Sequence, residues 1–158
     1  MHKNSYQTPS LLVVVGMPGS GKTTYLQKLL AEGRVDSVYD DYQKDTPEED
    51  RSNPRRSPNF AAVCADLSHG RRVAINDIRY CSAPELERLC TTMQEKFPDL
   101  KIEQVFFENN PEACRHNVRL RNRPADRLAI ELQKIDLIAP QYNPPTYGVL
   151  PVIRGTIA

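Results

Sequence analysis

The most specific chemistry in this chain sits in one stretch, Gly16-Met17-Pro18-Gly19-Ser20-Gly21-Lys22-Thr23, which fills the pattern G-x-x-x-x-G-K-[ST] at every fixed position. Glycines at 16, 19 and 21 let the backbone curl until successive N–H groups point at one spot, as an oligophosphate requires. A helix starting near Lys22 adds its positive N-terminal end. Lys22 reaches the outer phosphates as a point charge, and the Thr23 hydroxyl takes one position on Mg²⁺. Pro18, Ser20 and Thr24 complete the expected contact set for a nucleoside triphosphate, ATP or another.

Other side chains have types that suit transfer of a phosphoryl group. Asp40 and Asp41 follow a predicted strand, where a carboxylate can take the proton of an attacking hydroxyl. Asp77, also after a strand, is a candidate partner of Thr23 on Mg²⁺ or a contact to the acceptor, and Asn76 beside it is a weaker candidate. Arg115, Arg119, Arg121 and Arg123 form a cluster in which 115 and 119 share a helix face. Guanidinium groups of this kind stabilise charge on a transferring group, so Arg115, Arg119 and Arg123 are catalytic candidates on a lid over about 111–125. Arg51, Arg55 and Arg56 lie in a polar loop, and Arg55 and Arg56 are candidates for gripping an acceptor phosphate.

These residues need a scaffold. Leu11 to Val15 is a continuous apolar run that suits a strand buried on both faces. Tyr25, Leu26, Leu29 and Leu30 mark a helix that stops by Gly33. Further strands are expected at 34–39, 72–75, 100–107 and 149–153. Helices are expected from Phe60 to Gly70, from Ser82 with capping-box spacing to Glu85, from Asn110, and from Pro124 to Pro140. Residues 43–58 read as an exposed polar loop. The alternation implies an α/β fold, a five-stranded parallel sheet flanked by helices in three layers. Ligands of such sheets bind beyond the strands' carboxyl ends, so Asp40, Asp41 and Asp77 should share a rim with the glycine loop.

Composition sets outer bounds. The 158 residues suit one domain, 1–158, with globular values of 39% hydrophobic and 26% charged residues. A formal net charge of +1 argues neither for nor against a nucleic-acid partner. No run is apolar enough to span a membrane, and the polar first ten residues lack the core of a signal peptide. Cys64, Cys81, Cys90 and Cys114 form no C-x-x-C pair, which argues against zinc and for a reduced, cytoplasmic protein. Cys64 and Cys90 read as small core residues. Nothing in the sequence sets the oligomeric state.

The chain resembles small P-loop kinases, and most closely the 5′-kinase domain of phage polynucleotide kinase, through G-M-P-G-S-G-K-T-T at 16–24 and D-D-Y at 40–42. The resemblance implies ATP and Mg²⁺ as cofactors, Asp40 as general base, Asp77 as an acceptor contact, and a host cytoplasmic setting if the origin is phage. Its lid motif is matched only by His116-Asn117-Val118-Arg119. The family's arginines on either side of D-D-Y are replaced by Tyr39 and Gln43, so acceptor recognition is expected to have moved, toward Arg55 or Arg56.

Transfer to a hydroxyl of nucleic acid, either a 5′-hydroxyl or a hydroxymethylated base, is the leading expectation. A small-molecule kinase for a nucleoside, sugar or metabolite is the alternative. A GTP-hydrolysing switch is disfavoured because neither N-K-x-D nor D-x-x-G is found. Intact Lys22, Thr23 and Asp40 count against a nucleotide-binding module without turnover.

Overall fold

A computed structural model describes residues 8–121 and 123–156. The polar N-terminal stretch therefore falls mostly outside the described residues. β1 (Ser10–Val15) lies at the heart of the sheet, because Leu11, Val13, Val14 and Val15 leave nothing polar to face water on either side. It pairs in parallel with β3 (Arg72–Asn76) on one flank and β4 (Lys101–Phe106) on the other, and β2 (Ser37–Tyr39) pairs in parallel with β3. The order is β2-β3-β1-β4. Helices α1 (Lys22–Ala31), α2 (Phe60–Ser68), α3 (Ala83–Lys96), α4 (Pro111–Leu120) and α5 (Ala125–Ile138) flank this sheet. α1 buries Leu26 and Leu29, each worth roughly 1.5–3 kcal/mol of transfer energy.

The sheet has four strands, not the expected five. At 149–153 only Leu150 bridges Phe107. Its N–H donates to Phe106 O at 2.8 Å, and its carbonyl accepts from Glu108 N–H at 2.8 Å. Pro151 then offers no donor, and the Val152 N–H goes to the Glu108 carboxylate at 2.8 Å, so the ladder stops.

Three other expectations shift. The second strand is only Ser37–Tyr39, because Asp36 is drawn to Arg72, whose backbone N–H donates to its carboxylate at 2.8 Å. The Ser82 capping box is not made, since Glu85 pairs with Arg88 at 2.8 Å and Arg79 at 3.6 Å. The loop at 43–58 is not simply exposed: Gln43, Thr46 and Ser57 are buried in it. Ser57 Oγ and Asn59 Nδ2 both donate to the Tyr42 carbonyl, at 2.5 and 2.9 Å, which ties the loop to the body.

Candidate active site

The glycine loop joins β1 to α1. Gly19 and Gly21 have φ of 82° and 106°, values that an L side chain resists. A Cβ at Gly19 would also run into the Cys114 carbonyl of α4. α4 thus presses on the loop, and Asn117 Nδ2 donates to Gly19 O at 2.9 Å to hold it there. The same amide nitrogen donates to Ile153 O at 2.9 Å, and Asn117 Oδ1 accepts from Gly155 N–H at 2.7 Å, so the segment after Leu150 also braces the loop.

The loop has the properties of an anion site. α1 begins at Gly21 with no side-chain cap, leaving its first N–H groups available to a ligand. Ser20 Oγ is buried without a hydrogen-bond partner. Lys22 is only 8% exposed, and its Nζ donates to Met17 O at 3.0 Å. Burial pushes the Lys22 pKa below its ordinary value, while Asp41 and Asp40 pull the other way. An oligophosphate would satisfy these groups, so the residues present fit the expected nucleotide.

Thr23 meets Asp40 and not Asp77. Thr23 Oγ1 donates to Asp40 Oδ2 at 2.7 Å, and Asn76 Nδ2 donates to Asp40 Oδ1 at 2.5 Å. The adjacent oxygens of exposed Thr23 and Asp40 suit Mg²⁺, a hard cation. Asp77 is buried, and its two carboxylate oxygens accept from the backbone N–H groups of Gln43 at 2.7 Å and Arg79 at 2.9 Å. It anchors the turn after β3 and the loop after β2.

Asp41 takes the strained position. It is the one non-glycine with positive φ among the described residues, at 52°. Asn76 Oδ1 accepts its N–H at 3.1 Å. Burial, then the charges of Asp40 and Asp77, raise its pKa.

Two cavities meet here. A phosphate cleft of about 150 Å³ is lined by Pro18, Gly19, Gly21, Lys22, Thr23, Thr24, Asp40 and Asp41, with Arg121, Glu131 and Lys134 across from them. A larger chamber of about 490 Å³ is lined by Asp41, Lys44, Arg51, Asp77, Arg79 and Lys134, with an apolar wall of Ile78, Leu137 and Ile138. Asp41, Ile78 and Lys134 belong to both.

The arginines sort differently from the sequence expectation. α4 is packed inward through Ala113, Cys114 and Val118, so the expected lid over 111–125 is largely a buttress of the loop. Arg115 is engaged by Asp136 at 2.9 Å. Arg119 is exposed and lines neither cavity. Arg123 meets Glu131 at 3.4 Å. Arg121, also held by Glu131 at 3.0 Å, is the member that lines the phosphate cleft. Arg55 pairs with Glu95 at 3.3 Å and lies over the Phe60 ring, and neither it nor Arg56 lines the chamber.

The two departures from the polynucleotide kinase pattern have structural employment. Tyr39 donates to Asp66 at 2.6 Å. Gln43 accepts from Tyr80 Oη at 2.6 Å and donates to Arg51 O at 2.9 Å. Sequence reasoning missed Lys134 altogether. Its only signal is the spacing from Glu131, three residues earlier on the same helix.

Sheet order, glycine loop and flanking helices define an α/β fold of the P-loop kinase-like type. More particularly, the AAA domain family matches residues 11–145, and the chain belongs to that family. An uncharacterized protein of Acanthamoeba polyphaga mimivirus is 28% identical over 139 residues, covering 87% of this chain and 89% of the viral one. A candidate kinase from Chloroflexus aurantiacus is similar in fold, with a TM-score of 0.52 at 19% identity over 93% of this chain and 85% of that one. Shikimate kinase from Bacteroides thetaiotaomicron gives 0.46 at 16% identity over 84% and 80% of the respective chains. Among the described residues no helix is long and apolar enough to cross a membrane.

Proposed function

We propose that this protein is an ATP- and Mg²⁺-dependent kinase that phosphorylates a hydroxyl group, with nucleic acid as the leading acceptor. One observation carries the reading: Thr23 and Asp40, hydrogen-bonded to each other, line the phosphate cleft, and the next residue, Asp41, lines both that cleft and a second, larger chamber. Bound ATP with Mg²⁺ supplies the chemistry, its terminal phosphorus gaining a bond to the acceptor oxygen as the bond to the bridging oxygen of ADP breaks. Lys22, Ser20 and the N-terminus of α1 would hold the phosphates, and Thr23 and Asp40 would hold the metal. Asp40 takes the acceptor's proton, and Asp41 and Asp77 orient the acceptor. Arg121 closes the cleft from the α5 side.

Cations favour an anionic acceptor such as a strand end: Lys44, Arg51 and Lys134 line the chamber and make no ion pair among the described residues. A small hydroxyl metabolite is the second reading, favoured by a chamber volume of about 490 Å³, which matches pockets for single small molecules.

The test is incubation with γ-labelled ATP and Mg²⁺ against 5′-hydroxyl DNA, 5′-hydroxyl RNA, DNA with hydroxymethylated bases, and pooled nucleosides and sugars. Label on a strand supports the leading reading, and label only on a small compound selects the second. Loss of label from ATP with no labelled acceptor in any pool would remove the kinase reading.

A further inference from the structure

Lys134 stands on α5 at the boundary of the phosphate cleft and the acceptor chamber, and it lines both. Its companions there are Asp41, a carboxylate, and Ile78, which is apolar, so among the described residues Lys134 is the only cation at the junction. It is exposed and long enough to sweep the gap. The carboxylate one turn away, Glu131, is already occupied by Arg121 and Arg123, at 3.0 and 3.4 Å. Among the described residues the Lys134 ammonium makes no ion pair, so it faces the two cavities uncommitted.

Any group that passes between the cavities crosses this junction. Negative charge is spread over the equatorial oxygens of a phosphoryl group during transfer, and a cation met there acts more strongly than on the ground state. We propose that Lys134 is a catalytic residue, contacting the transferring phosphoryl group from the acceptor side in place of the α4 arginines that the sequence suggested. This rests on the phosphoryl-transfer reading above. The geometry separates its role from that of Lys22, which is buried within the loop and faces the cleft alone. It also separates it from Arg115, which Asp136 holds on the α4–α5 seam.

The experiment has a binding arm that needs no acceptor. Calorimetry gives the Kd of MgADP with and without aluminium fluoride, a mimic of the phosphoryl group in flight, for the wild type, Lys134→Ala and Lys134→Arg. The wild type is expected to bind MgADP at least about 10-fold tighter with the fluoride, as transition-state mimics do. Lys134→Ala should keep its MgADP Kd within about 2-fold and lose that gain, and Lys134→Arg should restore most of it. On whichever acceptor the labelling panel identifies, kcat for Lys134→Ala should fall about 100-fold while KM for ATP hardly changes. Lys134→Ala that keeps both the fluoride gain and kcat overturns the proposal. So does a variant that loses MgADP affinity as much as kcat, since Lys134 would then be a ground-state binding cation. A wild type with no fluoride gain and no transfer overturns the kinase reading itself.

Discussion

Asn76 donates from Nδ2 to Asp40 at 2.5 Å and accepts at Oδ1 from the Asp41 N–H at 3.1 Å, so one fully buried amide fixes both aspartates of the turn. Its own carbonyl also accepts from the Tyr42 N–H at 2.8 Å. Asn76→Ala would strand the Asp41 N–H and leave Asp40 held by Thr23 alone. The expected cost is about 2 kcal/mol in urea unfolding, together with a drop in kcat. Asn76→Asp should fold less well still, because it buries a third carboxylate beside two others. A stable Asn76→Ala variant with wild-type kcat would remove the positioning role.

The two aspartates are expected to differ. Asp40→Asn offers one carbonyl oxygen to two donors, Thr23 and Asn76, and cannot take a proton. It should keep ATP binding and lose about 10³-fold in kcat. Asp41 lines the larger chamber as well as the cleft. Asp41→Asn should do less harm to kcat and raise KM for the acceptor. The reversed pattern would move the base to Asp41.

Lys22→Ala is expected to abolish transfer, by at least about 10²-fold in kcat/KM, without unfolding the protein. Burial disfavours its charged form, so without nucleotide Lys22 costs stability at neutral pH. Differential scanning calorimetry should find the Tm of the nucleotide-free variant unchanged or raised. Near wild-type transfer would contradict the phosphate-loop role.

At the far end of the sheet, Asp36 accepts from Arg72 Nε at 3.1 Å and Nη2 at 3.0 Å, and its pKa is lowered first by that side-chain bond and then by the Arg72 N–H. A carboxyl whose folded pKa is depressed contributes stability above its unfolded pKa and loses it as pH falls through the folded value. Asp36→Asn should cost about 1 kcal/mol at pH 7, a figure reduced for solvent exposure. The cost should fade at acidic pH below the ordinary aspartate range. An equal loss at pH 7 and pH 2.5 would mean that the charge is not responsible.

The legible parts of this site are those written locally. Gly16 to Thr23 declares itself because strand, loop and helix are contiguous, and Asp40 and Asp41 stand out by their place at a strand end. The partner of Thr23 was not legible: Asp40 and Asp77 both end strands, and only tertiary register puts Asp40 at 2.7 Å while backbone amides occupy Asp77. The fifth strand had the right apolar pattern, yet its ladder donor was captured by Glu108, a side chain 44 residues away in sequence. Lys134 carried no signal beyond its spacing from Glu131, because its meaning depends on α5 bordering two cavities. Arg55 and Arg56 had the right charge, but the 3-10 turn that holds them, Pro54–Arg56, lies off the chamber.

The arginines give the most exposed prediction. Periodicity grouped Arg115 with Arg119, but α4 turns Arg115 toward Asp136 and leaves Arg119 exposed, while the chain beyond α4 brings Arg121 into the cleft. Arg121 is held there by Glu131, whose Oε2 is buried without a hydrogen-bond donor and meets Arg123 only at 3.4 Å. An arginine that acts on a transferring group should affect kcat more than ground-state binding. Arg121→Ala is therefore expected to lower kcat about 100-fold with little change in ATP affinity. Arg119→Ala should stay near wild type. Arg115→Ala should cost only about 0.5 kcal/mol, because its ion pair is partly exposed. Arg123→Ala and Glu131→Gln should weaken the hold on Arg121 and lower kcat by smaller factors, Glu131→Gln more than Arg123→Ala. Arg55→Ala should leave kcat unchanged and, on a nucleic-acid acceptor, raise only KM and flatten its salt dependence. The measurement is kcat and KM for each variant at two salt concentrations. If Arg119→Ala alone shows the kcat loss, the α4 face becomes the working lid and Arg121 is a structural tie to Glu131.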